Sequence, residues 1–187
     1  MANIILLTGP SGAGKTTIAN KFISSQKNQW AHIKHDEIRQ LVITGFSSAD
    51  DSRKNWSAET KNQWQVGIQN CVDLAINFKQ SEINCLVDFY STPSEFETWK
   101  NLLNPIDYTL VILLPNKKSV ITRNTTRNSP CKLSEGKILE CYEDFQGWPH
   151  DCSHHTIDNS TLSIEGAVKN ISDIIESKNT TSATSVD

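Results

Sequence analysis

Residues 3–21 constrain this chain more than any other stretch. Ile4-Ile5-Leu6-Leu7 is a continuous apolar run, the pattern of a strand buried on both faces. Gly9-Pro10-Ser11-Gly12-Ala13-Gly14-Lys15-Thr16 follows, and Thr17-Ile18-Ala19-Asn20-Lys21-Phe22-Ile23 then reads as a helix. Strand, Gly-x-x-x-x-Gly-Lys-Thr and helix in this order form a P-loop in the context the motif demands. Each part has a chemical reason. The glycines let the backbone wrap a phosphate chain with its N–H groups pointing inward. The helix starting near Gly14 adds its positive end. Lys15 reaches the β- and γ-phosphates as a mobile charge, and the Thr16 hydroxyl ligates Mg²⁺. The span from Gly9 to Thr17 is therefore a nucleoside triphosphate site. A dinucleotide fingerprint needs Gly-x-Gly-x-x-Gly, which glycines at 9, 12 and 14 do not supply.

Bulk properties narrow the class. A chain of 187 residues is long enough to bury one ordinary core. A net charge of −3 argues against broad nucleic-acid binding, which needs many Lys and Arg contacts to phosphate, but leaves room for a local basic patch. No uninterrupted apolar stretch approaches the ~20 residues that span a bilayer. The N-terminus runs directly into the P-loop strand, so no signal peptide is expected. Five cysteines, an odd number without paired spacing, suit a reducing compartment. Together these predict a soluble cytoplasmic protein.

The rest of the chain alternates strand and helix patterns about five times. Residues 31–35 read as a second strand, and Asp36 sits where the N-cap of a following helix would sit, with Arg39 three residues on and on the same face. Over 57–80, Trp64, Ile68, Cys71, Ala75 and Phe78 mark one face of a long helix, read as core packing. Residues 83–89 read as a buried strand ending at Asp88. Thr92-Pro93-Ser94-Glu95 carries the marks of a capped helix start, and Phe96, Trp99 and Leu102 or Leu103 its buried stripe. Residues 108–114 form another buried strand, 116–127 a helix bearing Arg123 and Arg127, and 134–145 a helix with Ile138, Tyr142 and Phe145 on one face. A short strand at 155–158 precedes a helix capped by Ser163 and running to 175, with Ile164, Ala167, Val168, Ile171 and Ile175 turned inward. Continuous apolar strands alternating with helices predict a three-layer α/β/α fold with a five-stranded parallel sheet. Residues 1–176 make one domain, and the polar 177–187 a loose tail.

Phosphoryl transfer to a hydroxyl needs a phosphate cradle, Mg²⁺, a group that deprotonates the acceptor, and positive charge on the transferring group. Asp36 is the candidate base, at the carboxyl end of a strand where ligands of open α/β sheets bind; read plainly it is only an N-cap. Arg39 either holds the acceptor or the γ-phosphate, or is a solvated helix charge. Asp88 orders Mg²⁺ or binds the acceptor, or merely caps a turn. Arg123 and Arg127, at i and i+4, leave one helix face. They belong to a stretch, 116–134, with Lys117, Lys118 and Lys132 and no acid, which suits a lid closing over the phosphates. His150-Asp151-Cys152-Ser153-His154-His155, with Cys131 and Cys141 upstream, has metal-ligand residue types, but the spacing lacks Cys-x-x-Cys or a paired-His pattern, so the thiols read as buried rather than zinc-bound.

The P-loop at 9–16, Asp36-x-x-Arg39, the strand ending at Asp88, Arg123-Asn124-x-x-Arg127 and the closing Ile157-Asp158-Asn159-Ser160 resemble the small P-loop kinases that include chloramphenicol phosphotransferase, gluconate kinase and phage-type polynucleotide 5′-kinases. The resemblance implies that Asp36 serves as base toward the acceptor hydroxyl, that Arg39 contacts acceptor or phosphate, that Arg123 and Arg127 belong to the lid, and that ATP with Mg²⁺ is the donor. No Asn-Lys-x-Asp guanine motif is present. Three functions remain open at this point. The first is a kinase for a hydroxyl on a small molecule, such as a sugar acid or antibiotic-like alcohol. The second is a polynucleotide 5′-hydroxyl kinase using the basic lid. The third is a nucleotide-dependent switch without an acceptor.

Overall fold

The computed structural model describes residues 2–50, 52–126, 133–148 and 154–183. Five strands, β1 (Ile4–Thr8), β2 (Trp30–Lys34), β3 (Asn84–Asp88), β4 (Thr109–Leu113) and β5 (His155–Ile157), form one sheet in the order β2-β3-β1-β4-β5. Every pairing is parallel, with Leu7 level with Asp88 and with Val111. The helices are α1 (Lys15–Ser24), α2 (His35–Arg39), α3 (Ala58–Gln80), α4 (Pro93–Leu103), α5 (Lys117–Thr126), α6 (Glu135–Glu143) and α7 (Ile164–Ala183), with 3₁₀ turns at Arg53–Asn55 and Asp144–Gly147.

The sheet is buried on both faces, which is why its strands are apolar throughout. Ile4 and Leu6 of β1 join Trp64, Ile68, Cys71, Phe96 and Trp99 under α3 and α4. Ile5 and Leu7 point the other way and join Ile18, Phe22, Ala167 and Ile171 under α1 and α7. This is the α/β/α fold with a five-stranded parallel sheet expected from the alternation. β1 lies at the centre of the sheet, so the loop leaving its carboxyl end opens where a ligand crevice forms.

Local signals placed most boundaries. Ser57 caps α3 by accepting from the Thr60 N–H, and Thr92 and Glu95 form a reciprocal capping box on α4 with Pro93 at its first position. Three expectations change. Helix α2 begins at His35 with Lys34 in the capping position, so Asp36 lies inside the first turn rather than at the N-cap. Ile164 is exposed instead of turned inward. Helix α7 continues to Ala183 past the expected end at 175, and Lys178 Nζ bonds Asp107 Oδ1 at 2.7 Å and the Tyr108 carbonyl at 2.6 Å, tying this last part of the helix to the start of β4. Among the described residues, no helix is long and apolar enough to cross a membrane.

Candidate active site

The P-loop turns sharply out of β1. Gly9, Gly12 and Gly14 have φ of 150°, 85° and 92°, a region L side chains rarely adopt. A Cβ on Gly9 would collide with the Leu113 carbonyl, and one on Gly12 would sit 3.0 Å from the Val120 carbonyl. Pro10 O accepts from the Ala13 N–H at 3.0 Å, and α1 starts at Lys15. Lys15 Nζ rests on the carbonyls of Gly9 and Pro10, at 2.9 and 3.3 Å. The outer surface of the loop is braced from behind. The Ala13 carbonyl accepts from Asn159 Nδ2 at 2.9 Å and from Arg123 Nη1 at 3.3 Å, while Arg123 Nη2 donates to the Asn159 carbonyl at 2.7 Å. Glycines in place of side chains, a lysine at the loop mouth and a helix N-terminus fit a polyphosphate.

At the carboxyl end of the neighbouring strand, Asp88 is buried, and the Thr16 hydroxyl donates to its Oδ2 at 2.5 Å. Burial pushes the Asp88 carboxyl up; Lys15, the Thr16 hydrogen bond and His32 oppose the rise. His32 places Nε2 3.9 Å from Asp88 Oδ2, and its Nδ1 pairs with Asn20 Oδ1 at 3.0 Å. A hydroxyl and a carboxylate side by side at the P-loop are the oxygen ligands a hard cation takes, so Thr16 and Asp88 fit Mg²⁺ directly or through its water.

One cavity of about 1060 Å³ opens at this end of the sheet. Ser11 to Ile18, Asp88, Arg123 and Asn159 line it, and so do Asp36, Arg39, Phe46, Arg53, Trp56, Trp64 and Tyr90. Asp36 therefore shares a cavity with the P-loop, as its position after β2 predicted. Arg39 shares it too, but not as a solvated charge. It is 5% exposed, its guanidinium lies 4.9 Å over Trp64 and 5.4 Å over Phe46, and Nη2 donates to the Ser47 carbonyl at 3.0 Å. Burial holds its pKa below the usual arginine range. Beneath it, His35 is fully enclosed against Trp64, with its pKa lowered to about 4 by burial.

Arg123 lies in the cavity wall, and its hydrogen bonds go to the P-loop backbone and the turn after β5. Arg127, Cys131, Lys132 and His150 to Ser153 lie outside the described residues. On either side of residues 127–132, Asn124 clamps Leu133 by two bonds, Nδ2 to O at 2.9 Å and N to Oδ1 at 3.2 Å. Cys71, Cys85 and Cys141 are buried free thiols, the first two pushed up to about 12 by burial, and no metal-binding cluster occurs among the described residues.

Several residues of the site carry no sequence signal. Arg53 sits in a polar, irregular stretch, yet its guanidinium is ringed by Trp56, Trp64 and Tyr90 at 5.1, 5.3 and 4.8 Å and paired with Glu95. Trp64 belongs to the core stripe as its periodicity indicated and faces the cavity as well. Lys137 of α6 also lines the cavity, 3.7 Å from Glu140. The Ile157-Asp158-Asn159-Ser160 stretch hinted at Asn159 without its role as brace.

Solved structures of similar shape include kinases and a resistance protein. A sugar kinase from a Janibacter species aligns with TM-score 0.66 at 13% identity, covering 91% of this chain and 92% of that one. A tunicamycin resistance protein from Deinococcus radiodurans aligns at 0.67 and 15%, covering 94% and 96%. A shikimate kinase from Acinetobacter baumannii, solved with shikimate, aligns at 0.65 and 17%, covering 95% of both chains. At such identities the likeness is one of fold. No curated protein matches the sequence significantly. The family model described as "Chloramphenicol phosphotransferase-like protein" matches residues 2–134, which hold four of the five strands, the P-loop, Asp36 and Asp88. Membership in a family so described supports a kinase for small molecules, and on that match the chain belongs to the chloramphenicol phosphotransferase-like family.

Proposed function

We propose that the protein is an ATP- and Mg²⁺-dependent kinase that moves the γ-phosphoryl group to a hydroxyl of a small molecule. The observation that carries this reading is that one cavity is lined both by the P-loop and by Asp36. A nucleotide switch needs the P-loop only; an acceptor explains Asp36. The aromatic lining of Phe46, Trp56, Trp64 and Tyr90 suits the apolar body of a small molecule. Five cysteines without paired spacing fit a cytoplasmic setting for such an enzyme.

In this mechanism Lys15 and the P-loop amides hold the β- and γ-phosphates, and Thr16 and Asp88 hold the metal. Mg²⁺ held there would neutralise negative charge on the phosphates during transfer. Asp36 accepts the proton of the acceptor hydroxyl as its oxygen bonds the γ-phosphorus. The bond from that phosphorus to the bridging oxygen breaks, and ADP leaves. Arg123 supplies positive charge from the lid side while keeping the P-loop in register through Ala13. Arg127 joins it in this proposal.

The test is phosphate transfer from labelled ATP with Mg²⁺ to a panel of sugar acids, phenicol- and aminoglycoside-type alcohols, nucleosides and a 5′-hydroxyl oligonucleotide. The expected result is transfer to a small molecule that falls at least 10³-fold in Asp36→Ala, the loss of a general base and its positioning. Transfer to the oligonucleotide alone would replace the acceptor class, and ATP turnover that no acceptor stimulates would remove the kinase.

A further inference from the structure

Four side chains form a ring beside the P-loop, and one of its links stands open. Thr16 and Asn20 lie one turn apart on the same face of α1. Across from them, His32 of β2 is level with Leu86 of β3, and Asp88 lies two residues further along β3. Both side chains therefore rise on the sheet face that α1 covers. The Thr16 hydroxyl donates to Asp88 Oδ2 at 2.5 Å, and Asn20 Oδ1 lies 3.0 Å from His32 Nδ1. The His32 side chain is 13% exposed. Its Nε2 is buried without a hydrogen-bond partner, 3.9 Å from the same Asp88 Oδ2. Buried polar atoms of this kind are ordinarily paired. A carboxylate only accepts, so the ring nitrogen that faces it carries the proton. Nδ1 then accepts, and a half-turn of the exposed Asn20 amide brings its nitrogen there to donate. Thr16 and Asp88 line the cavity; His32 and Asn20 stand behind them.

We propose that His32 is a positioning residue for the Mg²⁺ site: held by Asn20, its Nε2–H fixes the Asp88 carboxylate from behind, so that Asp88 and Thr16 meet the metal together. The proposal rests on the reading of Thr16 and Asp88 as the metal's ligands and adds the residue that sets their geometry. Thr16 holds one carboxylate oxygen from α1, and a single such bond leaves the plane of the carboxylate unset. A second contact from the neighbouring strand sets it. Carboxylates that ligate metals are themselves hydrogen-bonded, and losing such a partner costs about 10–100-fold in metal affinity or activity. Lys15 does not take this place, because its Nζ rests on the Gly9 and Pro10 carbonyls and turns to the phosphates in the mechanism. The plainer role for His32 is to brace β2 against α1 through Asn20. That role needs Nδ1 and positioning needs Nε2, so the two nitrogens separate the two roles.

The test reads the metal through nucleotide binding, with no acceptor present. Calorimetry measures the affinity for a non-hydrolysable ATP analogue in Mg²⁺ and in EDTA, and the ratio of the two is the metal's contribution. His32→Asn keeps an amide nitrogen near the place of Nδ1 and loses the reach to Asp88. His32→Gln puts one near the place of Nε2. Circular dichroism controls for folding. The ratio should fall about tenfold or more in His32→Asn and stay within about threefold of wild type in His32→Gln, with the affinity in EDTA little changed in both. Asn20→Ala, at an exposed position, frees the ring without altering the core and should also lower the ratio, by about threefold or more. On an Asp88→Asn background, His32→Asn should lower it no further, because His32 acts through Asp88. A wild-type ratio in His32→Asn or Asn20→Ala, equal falls in His32→Asn and His32→Gln, or a further fall on the Asp88→Asn background makes His32 a brace and overturns the proposal. Absence of any Mg²⁺ effect in the wild type removes the metal reading of Thr16 and Asp88, and this inference with it.

Discussion

Lys15 and His35 show how burial and charge set what single side chains contribute. Lys15 opposes the burial-driven rise of the Asp88 pKa and keeps its own ammonium on the Gly9 and Pro10 carbonyls. Replacing it removes a charged donor from the phosphates. Such bonds contribute roughly 1.5–3 kcal/mol each, so Lys15→Met should weaken ATP binding by about one to two orders of magnitude in calorimetry while the fold persists. Unchanged affinity would mean that the lysine stays on the loop carbonyls when nucleotide binds. His35 predicts a pH effect of definite sign. Its folded pKa is lowered from 6.5 to about 4, chiefly by desolvation. The unfolded chain therefore takes up a proton between those values that the folded chain refuses. Stability is fully present above pH 6.5 and falls as the pH drops toward 4, by at most roughly 3 kcal/mol. Thermal melts between pH 7.5 and 4.5 should show this slope, and His35→Gln should flatten it. The same slope in the variant would assign it to other groups, of which His32, also lowered by burial, is the first to examine.

At the scale of elements, the cavity lining at Arg39 depends on how closely α2 lies on α3. Gly67, in the middle of α3, makes that approach possible. A Cβ there would stand 2.6 Å from Arg39 Cγ and 2.8 Å from His35 Nε2. In an open helix Gly→Ala gains up to about 1 kcal/mol. Here overpacking of a buried contact, about 1–3 kcal/mol, should win, so Gly67→Ala is expected to lower the melting temperature. Because the collision strikes Arg39, the variant should also raise KM for the acceptor with KM for ATP unchanged. A stabilised Gly67→Ala enzyme with ordinary acceptor KM would show that α2 shifts without cost. Helix α5 offers a parallel case. Asn124 is buried and spans from α5 to Leu133 by two hydrogen bonds. Asn124→Ala should reduce kcat more than it reduces ATP affinity, since it loosens the join between α5 and α6 without touching the P-loop.

For the molecule as a whole, what was legible in the sequence was what is local. The P-loop is contiguous, the strands are apolar because both sheet faces are covered, and the capping residues of α3 and α4 sit beside the turns they cap. Asp36 and Asp88 share the cavity because Asp88 ends β3 and Asp36 lies two residues past β2, and strand ends meet at one edge of a parallel sheet. The lining formed by Arg39, Arg53 and Trp64 was not legible, because these come from three segments and meet only after α2 packs on α3. A tryptophan at a core period gives no sign that one edge faces a cavity. The same distribution of contacts predicts coupling between the P-loop and the residues around Arg53. The arm formed by α5, α6 and the turn after it touches both. Arg123 of α5 holds the Ala13 and Asn159 carbonyls at the P-loop. From α6 and the turn after it, Glu140 accepts from Ser52 at 2.9 Å and Asp144 from Tyr90, both beside Arg53. A ligand that settles one of them therefore positions an arm already bonded to the other. ATP analogue at a hundred times its dissociation constant should stabilise the fold by about 2.7 kcal/mol, a rise of roughly 5–11 °C in a domain of this size. If the arm couples them, analogue and acceptor together should raise the melting temperature beyond the sum of their separate shifts, and Ser52→Ala should reduce the excess without altering either shift alone. Strictly additive shifts in the wild type would show that α5 and α6 respond independently, and that the Ser52–Glu140 contact is scaffold rather than link.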